Sequence, residues 1–436
     1  MVCRSRLSVV IFIATSAVLL LFLFSFSEAV SSVSLDYAHK AHNYWDSNFK
    51  HSSSLPQIYN CEDPYRRPGY LHIDPSDYKN TRWVPYTPEF LDAETPWYAE
   101  YPPPKNADIF FNQTEPEWQF LELPSTPKEW MKLARAEHDR RTKSLEVEAK
   151  KQKAQDFLGV KDDGSMGWLW GRRLLIIGDS VDRYMMQFFC EEFGRQMSQP
   201  GPHTTALCEI PSLNFTIIHW HFPGSFTYKP DWWWMKDMKE IAFEERWNSM
   251  WAPMLDKHVR GKDGRPDLVL WQNGLWDQRA LWEAGEAHFN GSDNVMGTRE
   301  RQLVWDEVRF VASRMQKLAE KLNGEFGADV PAMFRAITIH RDSNATDANI
   351  YELDRIGRAV AERNGHEVFE WGRLVTAMSM LYRDKTHTDK GPASWLWGNM
   401  ALEYLARGAG IRDPERSPYF NGWGACHKQL VHWGGR

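Results

Sequence analysis

Arg172-Arg173-Leu174-Leu175-Ile176-Ile177-Gly178-Asp179-Ser180-Val181-Asp182-Arg183 passes from charge, through an unbroken apolar run, to Gly-Asp-Ser. A short apolar run bounded by charge and glycine reads as a buried parallel strand. Met185, Met186, Phe188 and Phe189 follow at helical spacing. A sharp strand-to-helix turn lifts the Ser180 hydroxyl above the sheet edge and aims the first free N–H groups of the helix at the same spot. That pairing suits a nucleophile whose attack creates an oxyanion. Arg183, three residues on, projects from roughly the same helix face, ready to fix the loop carrying an acidic partner or to meet an anionic oxygen.

The complement lies near the other end of the chain, at Asp384-Lys385-Thr386-His387. An Asp three residues before a His can hydrogen-bond its ring, hold the tautomer and steady the imidazolium that forms when a serine gives up its proton. Either motif alone is an ordinary turn or a solvated loop. The pair, in the order Ser then Asp-x-x-His, points to Ser180, His387 and Asp384 as a nucleophile, base and orienting acid.

The chain between them alternates. Strands are expected at 173–177, 213–220, 267–272, 332–339 and 367–371, and helices at 181–196, about 241–254, 298–322, 348–363 and 392–406. Such alternation predicts an α/β domain with a mostly parallel sheet and helices on both faces. Sites in these sheets lie beyond the carboxyl ends of the strands. Ser180 would follow the first strand, Asn273 the third and Asp384/His387 the last, all on one rim. Asn273-Gly274 can aim a side-chain N–H at a carbonyl oxygen, or simply make a turn.

Gly178-Asp179-Ser180-Val181-Asp182-Arg183 with Asp384-Lys385-Thr386-His387 resembles the GDSxxR and DxxH signatures of the PC-esterase branch of the SGNH/GDSL proteins. The resemblance spans about Trp168 to Leu405. That branch includes trichome-birefringence-like polysaccharide O-acetyltransferases and the lumenal domains of fungal capsule O-acetyltransferases. It implies an SGNH-like, flavodoxin-like three-layer domain in which Asn273 takes the place of the SGNH asparagine, although the Gly-x-Asn-Asp form is not kept. The family's second oxyanion glycine should follow the second strand, where Gly224 is the candidate. The expected activity is glycan or polysaccharide O-acetyl transfer through an acyl-enzyme, the alternative being a secreted carbohydrate acetyl esterase. A glycan-binding protein with a degenerate site is a third reading. No cofactor is expected beyond an acyl donor, with a carbohydrate acceptor and, for a transferase, a partner membrane protein supplying that donor.

Net charge is −6, which gives no basic footprint for nucleic acid. The 22 tryptophans are either platforms for sugar rings or core. Arg4 and Arg6 precede an apolar run from Leu7 to Phe26, long enough for a membrane span with the remainder lumenal. Ser27-Glu28-Ala29 also fits a signal-peptide cleavage site. Residues 1–30 are thus expected to be a signal anchor of a Golgi type II protein, or a signal peptide of a secreted one. Sequons at Asn112, Asn290 and Asn344 agree with that compartment, as does a strand-embedded one at Asn214. Cys61, Cys190, Cys208 and Cys426 permit two disulfides in three connectivities. The close pair Cys190/Cys208 is preferred, leaving Cys61 with Cys426.

Residues 31–125 read as a stem and an irregular Pro- and aromatic-rich extension. Residues 126–165 read as a helix opened by Thr126-Pro127-Lys128-Glu129, with a solvated charged surface, and a linker. The main domain is 166–436. No metal site is expected: His219 and His221 alternate on one strand face without an acidic or cysteine partner at ligand spacing. His340 is either a contact near the rim or a core histidine.

Overall fold

The computed structural model describes residues 63–86, 127–149, 166–226, 242–259, 264–289, 301–341, 348–376 and 378–409. The anchor run, Asn112, Asn290, Asn344, Cys61 and Cys426 lie outside the described residues. Among the described residues no helix is long and apolar enough to cross a membrane.

Two short strands, β1 (Gly69–His72) and β2 (Arg82–Pro85), make an antiparallel hairpin. Six others build the main sheet: β3 (Arg173–Gly178), β4 (Ala206–Ile210), β5 (Phe215–His221), β6 (Leu268–Trp271), β7 (Ala332–Arg335) and β8 (Glu367–Phe369). Their order is β4-β5-β3-β6-β7-β8, with β4 antiparallel and every other pairing parallel. The five parallel strands therefore stand in the flavodoxin-like order, and the direction of winding reverses between β3 and β6. Ligand crevices open at that switch point.

Side-chain parity assigns the helices to two faces. A Cβ on Gly178 would meet Asp182 of the helix Ser180–Glu192, which places that helix on the face of Gly178. Ile177, Trp271 and Phe334 are in register across β3, β6 and β7 and point the other way. Gly357 of the helix Ala348–Arg363 packs directly on the Phe334 ring, where any Cβ would collide. Phe369, one residue out of phase with Phe334's partner, returns to the first face and meets Trp397 of the helix Pro392–Gly408. The result is three layers, helix–sheet–helix.

Trp220, Trp251, Trp271, Trp371, Trp395 and Trp397 are fully buried. These six serve the core, because a buried indole removes more apolar surface from water than any other side chain.

Several boundaries differ from the sequence reading. The second parallel strand begins at Phe215, since Pro211–Leu213 form a 3-10 turn and Asn214 takes a left-handed φ of 42°. The strand expected over 332–339 stops at Arg335. The antiparallel β4 and the helix Leu275–Phe289 were not anticipated. The helix Trp130–Ala149 is not solvated on every face: Trp130, Met131 and Ala134 join the core. Met131 N–H donates to Asn399 Oδ1 at 2.9 Å. Below the hairpin, Tyr404 donates to buried Asp63 at 2.7 Å, and Arg407 grips Glu367 with two hydrogen bonds of 2.9 and 2.7 Å. Cys190 and Cys208 form a disulfide, Cα to Cα 5.7 Å, that clamps the serine helix to β4.

Candidate active site

Three loops leave the carboxyl ends of β3, β5 and β6 and are tied together around Asp179. Its carboxylate caps the serine helix by accepting Val181 N–H at 2.9 Å, and its second oxygen accepts Leu275 N–H at 3.2 Å. Gly274 is where these loops touch: a Cβ there would stand 2.7 Å from Pro223 O and 3.0 Å from Asp179 Oδ2. Gly224 has φ of +146°, and a Cβ would lie 2.2 Å from Asp277 Oδ1, so the position requires glycine. Buried Asp277 in turn accepts Ser225 N–H at 2.8 and 2.7 Å and Phe226 N–H at 3.2 Å. It fixes the loop that carries Gly224.

Ser180 opens its helix, so its N–H has no intrahelical acceptor by position. Its Oγ lies 2.8 Å from His387 Nε2. On the far side of the ring, Nδ1–H donates to both Asp384 oxygens, at 2.9 and 3.0 Å. Asp384 Oδ1 also accepts the N–H groups of Thr386 and His387, each at 2.8 Å. Partial burial raises the Asp384 pKa, but these backbone bonds and the imidazole outweigh it and hold the carboxyl below its ordinary value. The three residues singled out in the sequence thus form one hydrogen-bonded row. The turn itself is pinned from the segment that follows β7: His340 Nδ1 accepts from Thr386 Oγ1 and its Nε2–H donates to Gln278 Oε1, both at 3.1 Å. His340 is half-buried and bridges the turn to Gln278.

Asn273 follows β6, fully buried, and neither atom of its amide has a hydrogen-bond partner among the described residues. A buried amide without a partner is costly unless something else fills the role. His219 and His221 are also buried. Burial and nearby Arg183 push His219 down to about 4, and burial with Arg246 pushes His221 well below its usual value, so both are neutral. His219 Nε2 donates to Asp179 O at 3.1 Å. Among the described residues no group of three or more His, Cys, Asp or Glu could hold a metal ion.

Arg183 forms no ion pair with Asp384 among the described residues. Asp384 is already occupied by the imidazole and two N–H groups, and the Arg183 guanidinium lies 4.4 Å above the Tyr184 ring instead. Sequence reasoning also missed Tyr184, whose ring packs edge-on to His387 at 4.9 Å. Beneath the serine helix, Asp182 forms a buried pair with Arg335 at 2.5 Å, and Gln272 donates to it at 3.0 Å. Burial raises Asp182 to about 6 despite the guanidinium. Only the three-residue step from Asp179 to Asp182, both on the serine turn, hinted at it in the sequence.

No family model and no curated protein matches the chain. Among solved structures it is similar to the acetyl xylan esterase AlAXEase, at 15% identity and a TM-score of 0.30, over 53% of this chain and 96% of that one. Axe2, an acetylxylan esterase from Geobacillus stearothermophilus, is similar at 11% identity and a TM-score of 0.30, over 56% and 96%. LAE5, an α/β hydrolase enzyme from the metagenome of Lake Arreo, Spain, is similar at 14% identity and a TM-score of 0.31, over 56% and 97%.

Proposed function

We propose that this protein is a serine-dependent carbohydrate acetyl esterase of SGNH type, working through an acyl-enzyme. The observation that carries the reading is the row Ser180 Oγ–His387–Asp384, closed by contacts of 2.8 and 2.9 Å at the switch point of the sheet. His387 takes the Ser180 proton as Oγ attacks the ester carbonyl, and Asp384 holds the Nδ1–H tautomer and steadies the imidazolium. The tetrahedral oxyanion is met by Ser180 N–H, by the Asn273 amide and by Gly224 N–H. His387 then returns its proton to the departing sugar oxygen, leaving acetyl on Ser180. Water releases it in an esterase. A sugar hydroxyl takes it in an O-acetyltransferase, the second reading, which the apolar run Leu7–Phe26 favours by suggesting a lumenal type II enzyme served by a membrane donor protein. The carbohydrate class rests on the GDSxxR and DxxH motifs.

The test is release of acetate from acetylated oligosaccharides by the full chain and by Ser180→Ala. Removing a triad nucleophile lowers turnover by about 10⁴-fold or more while leaving the fold intact. Retained turnover in Ser180→Ala removes the serine mechanism. Acetate moved to an added glycan rather than to water selects the transferase.

A further inference from the structure

Two guanidiniums lie over the ring of Tyr184, Arg183 at 4.4 Å and Arg383 at 4.8 Å, and that ring packs on His387. Elsewhere, arginines of the domain hold carboxylates: Arg172 with Asp267, Arg301 with Glu307, Arg335 with Asp182, Arg358 with Glu370, Arg407 with Glu367. Arg183 and Arg383 hold none among the described residues. The acids around them are taken. Asp384 serves His387, Asp182 serves Arg335, and the two oxygens of Asp179 accept Val181 and Leu275. Glu191 is bound by Lys390 and Gln187, and Asp389 accepts Lys390 N–H. Lys385, next to Asp384 in sequence, is exposed. Two guanidinium groups beside the ring that packs on His387 are thus left without a carboxylate among the described residues.

Cation–π stacking uses the face of a guanidinium and leaves its N–H edge free. An edge of that kind matches a carboxylate with two parallel hydrogen bonds. Resting on the proposed function, we infer that the ester substrate is an acidic carbohydrate, and that Arg183 and Arg383 bind the carboxylate of a hexuronate unit next to the acetylated sugar. Tyr184 then has two tasks, keeping the His387 ring in place and presenting both arginines.

The experiment measures binding by calorimetry to the full chain carrying Ser180→Ala. The ligand is an acetylated hexuronate oligosaccharide, supplied as free acid and as its methyl ester, so that only charge differs. The acid should bind at least about tenfold more tightly at low salt, and the preference should shrink as salt rises. Adding Arg383→Gln or Arg183→Gln should carry the acid-to-ester ratio towards unity, with Arg383→Lys intermediate because the fork is lost. Arg383 is exposed, so its variants test the inference even where Arg183→Gln folds poorly. Equal binding of acid and ester overturns it, as does a ratio that neither variant moves. Tighter binding of a hexose phosphate than of the hexuronate overturns the carboxylate assignment. Turnover by the wild type separates the two readings. Charge preference without acetate release or transfer removes the esterase and keeps the acidic ligand, and acetate release without charge preference does the reverse.

Discussion

Arg335→Met offers a severe test of how the serine turn is supported. Asp182 and Arg335 are each only 1% exposed and 2.5 Å apart, with a hydrogen bond of 3.0 Å from Nη2 to Asp182 Oδ2. Solvent screening is therefore slight, and deleting one partner leaves a buried charge with only Gln272 for company. Such deletions cost about 3–5 kcal/mol. Burial already raises Asp182 to about 6 with Arg335 present, and without it the pKa must climb further. A folded-state pKa above the unfolded one means that the folded protein holds a proton that the unfolded chain has released, so stability falls as pH rises through that window. Both proteins carry this penalty below pH 6, but only the variant continues to lose stability above it. The deficit of Arg335→Met should thus be smallest near pH 5 and grow towards pH 8. Asp182→Asn combined with Arg335→Met removes the stranded charge and should recover most of the loss. Urea unfolding of the three proteins at pH 5 and pH 8 measures this. A deficit below about 1 kcal/mol, or one that does not grow with pH, would refute the reasoning.

Three further outcomes are expected. Glu403 is buried, and burial raises its pKa to about 8 even though Trp130 donates to it, so thermal stability should fall between pH 6 and pH 8 and then level off; Glu403→Gln should flatten that slope, and melting curves of both proteins across the range check it. Gly224→Ala would drive a methyl into Asp277 and displace the loop, lowering acetate release by about 10²-fold as one oxyanion donor is lost; turnover within threefold of wild type would show that this loop plays no such part. His340→Ala and Thr386→Val should each reduce kcat several-fold with little change in melting temperature, and the double variant should be no worse than His340→Ala alone, since that change already cuts the link to Thr386; additive losses in the double-mutant cycle would contradict it.

The switch-point architecture was legible because its signals are local. The apolar run 173–177, the Gly-Asp-Ser turn and the 348–363 periodicity each report on their own neighbourhood, and the helix appears at Ala348–Arg363. What the sequence concealed depends on distant partners. β4 is short and interrupted by a charge, Ala-Leu-Cys-Glu-Ile, and is held as a strand by the edge of β5 and the bond to Cys190. The helix Trp130–Ala149 is charged enough to look wholly solvated, yet one stripe of Trp130, Met131 and Ala134 finds the C-terminal helix. The same holds at the site. Ser180, Asp384 and His387 carry short motifs, whereas Asp277, His340 and Arg335 act through contacts that reach across 52, 46 and 153 residues, which no spacing rule encodes.

The hydrogen bond between Ser180 and His387 joins positions 207 residues apart. During synthesis the nucleophile and its capping Asp179 emerge with the first parallel strand, while the base arrives only after β8 has taken its place at the far edge of the sheet. Until then Ser180 Oγ lacks its contact with His387 Nε2. Contacts this distant in sequence form late, after the chain entropy between them has been surrendered. The row Ser180–His387–Asp384 is therefore among the late contacts of folding, and a chain made only as far as β7 lacks it.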